Sequence, residues 1–280
     1  MPLPFTVEEY YLGQRYMTSR QTVEVMRTSK LKESAIPLAE GTFQQCPELV
    51  IQHGKVPNRR ELCNNGTYIK KRLFLGGKMP GWIRRFLPEK GLYVQEEFWN
   101  AYPYTFCRYT SEWFTRVHFT IEGMHIPRDR GERTDVFLDQ PQGVVKEVCT
   151  IDIAAHVVTK KDGGVFQGDP STHCPPLRPG WQQRHDIDRM LGSYKLASLR
   201  IDAPMFGLAA RVQRAVLDIS VRDLAIHAHR NLYCWQDDWL WMSPKSVRAF
   251  EVHVLEKIAA NNLDSVVIPS KPPASMSWWS

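Results

Sequence analysis

Four polar side chains fall on faces that the apolar pattern assigns to the interior. On the last predicted helix, at about 100° per residue, Val247, Phe250, Val254, Leu255 and Ile258 form one stripe with Glu251 inside it. On the first, Gln14 sits between Val7, Tyr10 and Met17. In the run Ser193 to Ile201, period-two alternation puts Lys195 with Ala197, Leu199 and Ile201, while Tyr194, Leu196, Ser198 and Arg200 point the other way. Lys71 shares a face with Ile69, Leu73 and Leu75. A buried carboxylate without a partner is strongly unfavourable, so something must answer Glu251. One answer is a buried ion pair between Glu251 and one of the lysines. The other is a mostly apolar cavity whose few inward polar groups, two of them cationic, hold a ligand with a long greasy body and a phosphate-bearing head. The second describes a phospholipid.

Groups for catalysis are weaker. Asp237 and Asp238 are adjacent carboxylates, His227 and His229 are two apart, and Cys149 lies near Asp152 and His156 in sequence. On a helix, side chains at i and i+2 diverge, so the two histidines do not share a metal. No nucleophile elbow and no phosphate-cradling glycine loop occurs. No enzyme activity, metal or cofactor is expected; a hydrolase acting on lipids is the remote alternative.

The elements that must position these residues are legible in outline. Thr6 and Glu9 form a capping box that opens a helix from about Val7 into the twenties. From there to about residue 205 strands and loops dominate, with strands expected over Thr67 to Leu75, Phe114 to Met124, Val144 to Val158 and Ser193 to Ile201, and a long loop from Gly163 to Gly180. A long helix is expected from about Phe206 to Trp235. A second follows the cap and first-turn proline of Ser243-Pro244 and runs to about Ala260. With no repeat and no linker, residues 1–280 are expected to form one α+β domain with a flexible tail from about residue 262.

The 280 residues are 43% hydrophobic, with no apolar run long enough to span a bilayer, and the start MPLPFTVEEYY lacks the pattern of a signal peptide. A cytoplasmic protein with reduced thiols is expected, its six cysteines being scattered. The net charge of +6 suits an anionic surface. Lysines and arginines are too dispersed for a linear nucleic-acid motif, and no nucleic-acid partner is expected. The stretch "EFWNAYPY", Glu97 to Tyr104, concentrates rings with polar handles, suited to the end of a strand in a core or to the wall of a part greasy, part polar pocket.

"TVEEYYLGQRY", "KMPGWIRRFLP", "FWNAYPY", "IDIA", "PPLRPGW", "SYKL", "MFGL" and "YCWQDDW" occur in an order and spacing that resembles the phosphatidylinositol transfer proteins, over residues from about 4 to about 260. The resemblance implies a START-like helix-grip fold, a concave, mostly antiparallel sheet closed by long helices around one phospholipid. Such proteins exchange phosphatidylinositol and phosphatidylcholine between membranes; the lipid is cargo and there is no cofactor. Expected partners are phospholipid, a transiently touched membrane surface and lipid kinases, with a monomeric carrier. A sensor that presents lipid to a kinase is the alternative to a carrier.

By this resemblance Gln14 and Lys195 contact the lipid phosphate, while Lys71, Asn100 and Glu251 contact inositol. "FWNAYPY" resembles the wall near the headgroup. Met205 and Phe206 stand where the family dips two tryptophans into the bilayer. Departures are informative. Ile69 stands where the family has a threonine that contacts inositol, Cys107 and Gly123 where better-known members have threonines near the phosphate, and Thr105 where the family has a cysteine, which returns a hydroxyl. An unmet buried polar group costs about 1 to 3 kcal/mol, and inositol carries more hydroxyls than choline, so preference for phosphatidylcholine is expected.

Overall fold

The computed structural model describes residues 1–28, 35–43, 66–74, 88–134, 136–137, 147–156, 176–201, 213–214, 217–260, 262 and 265–269. Two compact units divide the chain. One comprises Met1–Val7, Glu33–Ile151 and His185–Leu224, the other Glu8–Lys32, Asp152–Arg184 and Ala225–Ser280.

The first unit is a seven-stranded sheet in the order β1-β7-β6-β5-β4-β3-β2. Its strands are β1 Pro2–Leu3, β2 Ala35–Phe43, β3 Gly66–Phe74, β4 Tyr93–Ala101, β5 Tyr104–Thr110, β6 Val117–Pro127 and β7 Leu191–Ile201. Every pairing is antiparallel, and together with the helices this gives the α+β class expected. Alternation sorts "EFWNAYPY" between two faces. Trp99 packs with Tyr104 and Phe106 in a buried cluster flanked by Tyr68 and Met124. Phe98 and Asn100 lie on the opposite face, and Tyr102-Pro103, a cis peptide, turns the chain into β5. Tyr104 donates its hydroxyl to buried Glu122 at 2.9 Å, so this core meets the polar needs of its own rings.

Two strand expectations change. β6 starts at Val117 rather than Phe114, because the Ser111 hydroxyl accepts the amides of Trp113 and Phe114 at 3.3 and 3.2 Å and holds them in a turn. Of the strand expected over Val144 to Val158, residues 147–156 are described and are not a strand. Side chains claim the backbone there. The Asp152 carboxylate accepts from the Ala154 amide, from Trp181 Nε1 and from Gln182 Nε2, while the buried Arg230 guanidinium donates to the carbonyls of Ile153 and His156. These bonds outweigh the local β propensity of "VCTIDIA".

The second unit carries helix α1, Val7–Thr28, from Glu8 onward, a short α2 at Trp181–Arg184, α3 at Leu224–Cys234, α4 at Gln236–Trp239 and α5 at Pro244–Ala259. A π-helical turn, Leu217–Asp223, precedes α3, so of the long helix expected over Phe206 to Trp235, residues 213–214 and 217–234 are helical, with this widened turn; residues 206–212 and 215–216 lie outside those described. Ser243 caps α5 by accepting the Ser246 amide at 3.1 Å, as its sequence predicts.

"YCWQDDW" proves to be a packing motif. Arg20 lies 4.0 Å from the Trp235 ring, donates to the Tyr16 hydroxyl and pairs with Asp238. Trp239 is buried and donates Nε1 to the Leu232 carbonyl at 3.1 Å. Gly13 lets α1 approach this corner, since a Cβ there would stand 2.9 Å from both Leu232 and Trp239.

Candidate functional site

The strand register joins residues that are far apart in sequence. Lys195 pairs with Gly123, Gly123 with Thr105, Thr105 with Asn100, and Asn100 with Thr67. Partners across an antiparallel sheet share a face, so these five residues form one row running straight across it, with strands about 4.8 Å apart. Two residues along, the next row on that face is Ala197, Ile121, Cys107, Phe98 and Ile69, and the third is Leu199, Phe119, Tyr109, Glu96 and Lys71. On the other side of the Lys195 row, Ser193 pairs with His125. The face is therefore polar at one end and apolar through its middle. Lys195 shares this face with Ala197 and Leu199, the residues that alternation along the strand groups with it.

Several groups on this face are arranged as if for a ligand. Lys195 keeps exposed surface, while the protein groups packed around it lower its pKa by desolvation. Asn100 Oδ1 and Ser193 Oγ are buried, with no hydrogen-bond partner among the described residues. Native proteins leave few such atoms, and here both lie on the same face as Lys195, Asn100 in its row three strands away and Ser193 two residues before it on β7. Ile69, Phe98, Ile121, Ala197, Phe119 and Leu199 are all half-buried, the condition of apolar side chains that line a surface without being closed over.

Thr105 and Gly123 form a unit within the row. A Cβ on Gly123 would lie 2.4 Å from Thr105 Oγ1, so the missing side chain on β6 is the space that the hydroxyl of β5 occupies. Thr105 is buried, and its hydroxyl stands one strand from Lys195. Cys107 and Glu96 are also buried; Glu96 accepts from the Tyr109 hydroxyl at 2.8 Å and from the Cys107 thiol at 3.3 Å. Burial and these neighbours raise the Tyr109 pKa well above its usual value. Glu96, Tyr109 and Ser193 were not singled out by sequence. The signal for Glu96 was its i, i+2, i+4 relation to Phe98 and Asn100, and for Ser193 its position two before Lys195.

The other predicted residues lie elsewhere or outside the description. Gln14 is half-buried on α1, with Oε1 buried and no partner among the described residues. Arg15 grips Glu251 through Nε at 2.8 Å and a terminal nitrogen at 2.5 Å, Arg248 adds a contact at 3.3 Å, and the bond to Glu251 raises the Arg15 pKa. Among the described residues the ion pair that answers Glu251 is with Arg15, whose fork matches a carboxylate. Met205 and Phe206 lie outside the described residues, as does the side chain of Lys71. A shallow open depression lined by Arg72, Glu89, Lys90, Tyr93, Gln95 and Glu112 shares no residue with the rows above.

Three of the catalytic candidates make structural bonds. Asp238 holds Arg20, Asp152 holds the loop to α2, and buried His229 bonds Tyr10 at 2.8 Å and the Ala225 carbonyl at 2.5 Å. Among the described residues no group of three His, Cys, Asp or Glu side chains is placed to hold a metal ion. Cys149 is an exposed free thiol.

A family model described as phosphatidylinositol transfer protein matches residues 1–256. The chain belongs to this family. It is 31% identical over 255 residues to the Homo sapiens cytoplasmic phosphatidylinositol transfer protein 1, covering 89% of this chain and 69% of that protein. It is 29% identical over 265 residues to the Mus musculus membrane-associated phosphatidylinositol transfer protein 1, covering 92% of this chain and 20% of that protein. Drosophila melanogaster protein retinal degeneration B is 29% identical over 271 residues, with 90% of this chain and 20% of that protein covered. The chain thus spans about a fifth of the length of the two longer relatives. No helix among the described residues of this family member is long and apolar enough to cross a membrane.

The Thr105 hydroxyl on β5 leans over Gly123 and fills the space a side chain there would take. Gly123→Ala is expected to rotate Thr105 Oγ1 away with little loss of stability, because a threonine rotamer gives way more easily than backbone. Phospholipid retention should fall severalfold in Gly123→Ala and in Thr105→Ala, and the double variant should be no worse than either. Additive losses in a lipid-retention assay would show that the two positions act separately.

Proposed function

We propose that the protein binds one phospholipid against this sheet face and exchanges it between membranes. The supporting observation is the row Lys195, Gly123, Thr105 and Asn100, where a desolvated ammonium, a buried hydroxyl and an amide oxygen without a partner share one face. A phosphate diester meets that chemistry. It answers the ammonium and accepts the Thr105 hydroxyl, while its acyl chains have Ile121, Phe98, Phe119 and Leu199 to lie on. No cofactor takes part, and the protein acts as a carrier peripheral to the membrane.

For the headgroup, the reading favours phosphatidylcholine over phosphatidylinositol. Ile69 offers no hydrogen bond, and the Glu251 carboxylate is engaged by Arg15 and Arg248. Asn100, Glu96 and Lys71 are the remaining candidates for inositol hydroxyls. Transfer between vesicles carrying labelled phosphatidylcholine or labelled phosphatidylinositol, with no other protein present, tests both parts. Transfer of both lipids, faster for choline, is expected. Loading without transfer would replace the carrier by a protein that presents lipid to a kinase, and a strong inositol preference would overturn the headgroup assignment.

A further inference from the structure

We propose that the turn between β5 and β6 is a membrane contact, with Trp113 and Phe114 seated in the interfacial layer of a phospholipid bilayer during exchange. The inference rests on the carrier reading for its need to touch a bilayer, and on the turn itself for the place. Trp113 is 53% exposed and Phe114 36% exposed, two adjacent rings on a turn whose other residues are polar. Such a pair is held out at a cost in water unless something covers it.

The turn is built to enter an apolar layer. The Ser111 hydroxyl accepts the amides of Trp113 and Phe114, and Phe114 returns its carbonyl to the Val117 amide at 3.1 Å. The backbone groups beside both rings are thus paired before contact, which removes the main penalty for placing a turn in the headgroup region. An indole also favours that layer, where its N–H meets water or headgroups. Glu112 and Arg116, both exposed, carry opposite charges, so the contact is driven by the rings and does not require anionic lipid.

Area selects a bilayer over a second copy of the chain. Two rings of about 150 to 250 Å² each fall well short of the area that a stable protein interface buries. A shallow, transient contact with a surface offering the same chemistry everywhere is the occupant they suit.

The test uses the full chain with vesicles of phosphatidylcholine and compares the parent with Trp113→Ser/Phe114→Ser and with Trp113→Phe. The double variant should lose vesicle binding and transfer rate severalfold while carrying the same phospholipid load per protein. Trp113→Phe should keep binding but lose a component of the fluorescence quenching produced by brominated lipid. Unchanged binding and transfer in the double variant, unchanged quenching in Trp113→Phe, or a parent dimer in light scattering that the double variant dissolves would each overturn the proposal. The load, measured on the same samples, reports separately on the carrier reading.

Discussion

Replacing Lys195 with Met is expected to empty the protein of phospholipid whatever the headgroup. Phosphate is common to all phospholipids, and a charge-assisted bond is worth about 2 kcal/mol, or roughly thirtyfold in retention. The same change should raise the stability of the lipid-free protein, because burial already disfavours the ammonium and lowers its pKa. The opposite signs separate a lost ligand contact from a damaged fold. A linked pH dependence follows. A bound phosphate raises the depressed pKa of Lys195, so affinity is full below the pKa of the empty form. It falls as pH rises from that value toward the higher pKa of the loaded form, and Lys195→Met should flatten the slope. Retention measured after incubation with mixed phosphatidylcholine and phosphatidylinositol vesicles checks this; equal loads in variant and parent would remove Lys195 from the site.

Acid should destabilise the protein through His125. His125 stands opposite Ser193 in the β6–β7 register, and its imidazole is 2% exposed and stacks on Tyr102. Burial first, and the Lys195 charge second, lower its pKa from 6.5 to about 3. The unfolded chain therefore takes up a proton that the folded one refuses. The stability held above pH 6.5 is lost as pH falls toward about 3, at up to about 1.4 kcal/mol per unit. Chemical denaturation across that window should show a shallower slope for His125→Gln than for the parent, from a lower starting stability. Lys195→Met should also ease the slope, by removing the second cause. A parent slope unchanged by His125→Gln would place the acid sensitivity elsewhere.

The sequence was most legible where one element carries its own periodicity. Lys195 was placed by alternation along a single strand, and Ser243-Pro244 opened α5 as predicted. What escaped was the relation between strands. The row joining Lys195 to Thr105 and Asn100 depends on the register of β4 through β7, which no local pattern specifies. Gly123 and Thr105 stood out as departures from the family before their close approach gave them a joint meaning. Arg15 escaped because its partner lies 236 positions away, and a wheel that marks Glu251 as inward does not name what meets it. The 144 to 158 segment failed for the reverse reason. Its described residues, 147–156, are held irregular by Asp152 and Arg230, a tertiary effect that overrides propensity.

The central claim is that the sheet face holds one phospholipid. Native mass spectrometry of the purified protein, followed by extraction and identification of what it carries, tests that most directly. The account predicts one phospholipid per chain, with phosphatidylcholine the main species; a protein that stays empty after incubation with phospholipid vesicles would contradict it.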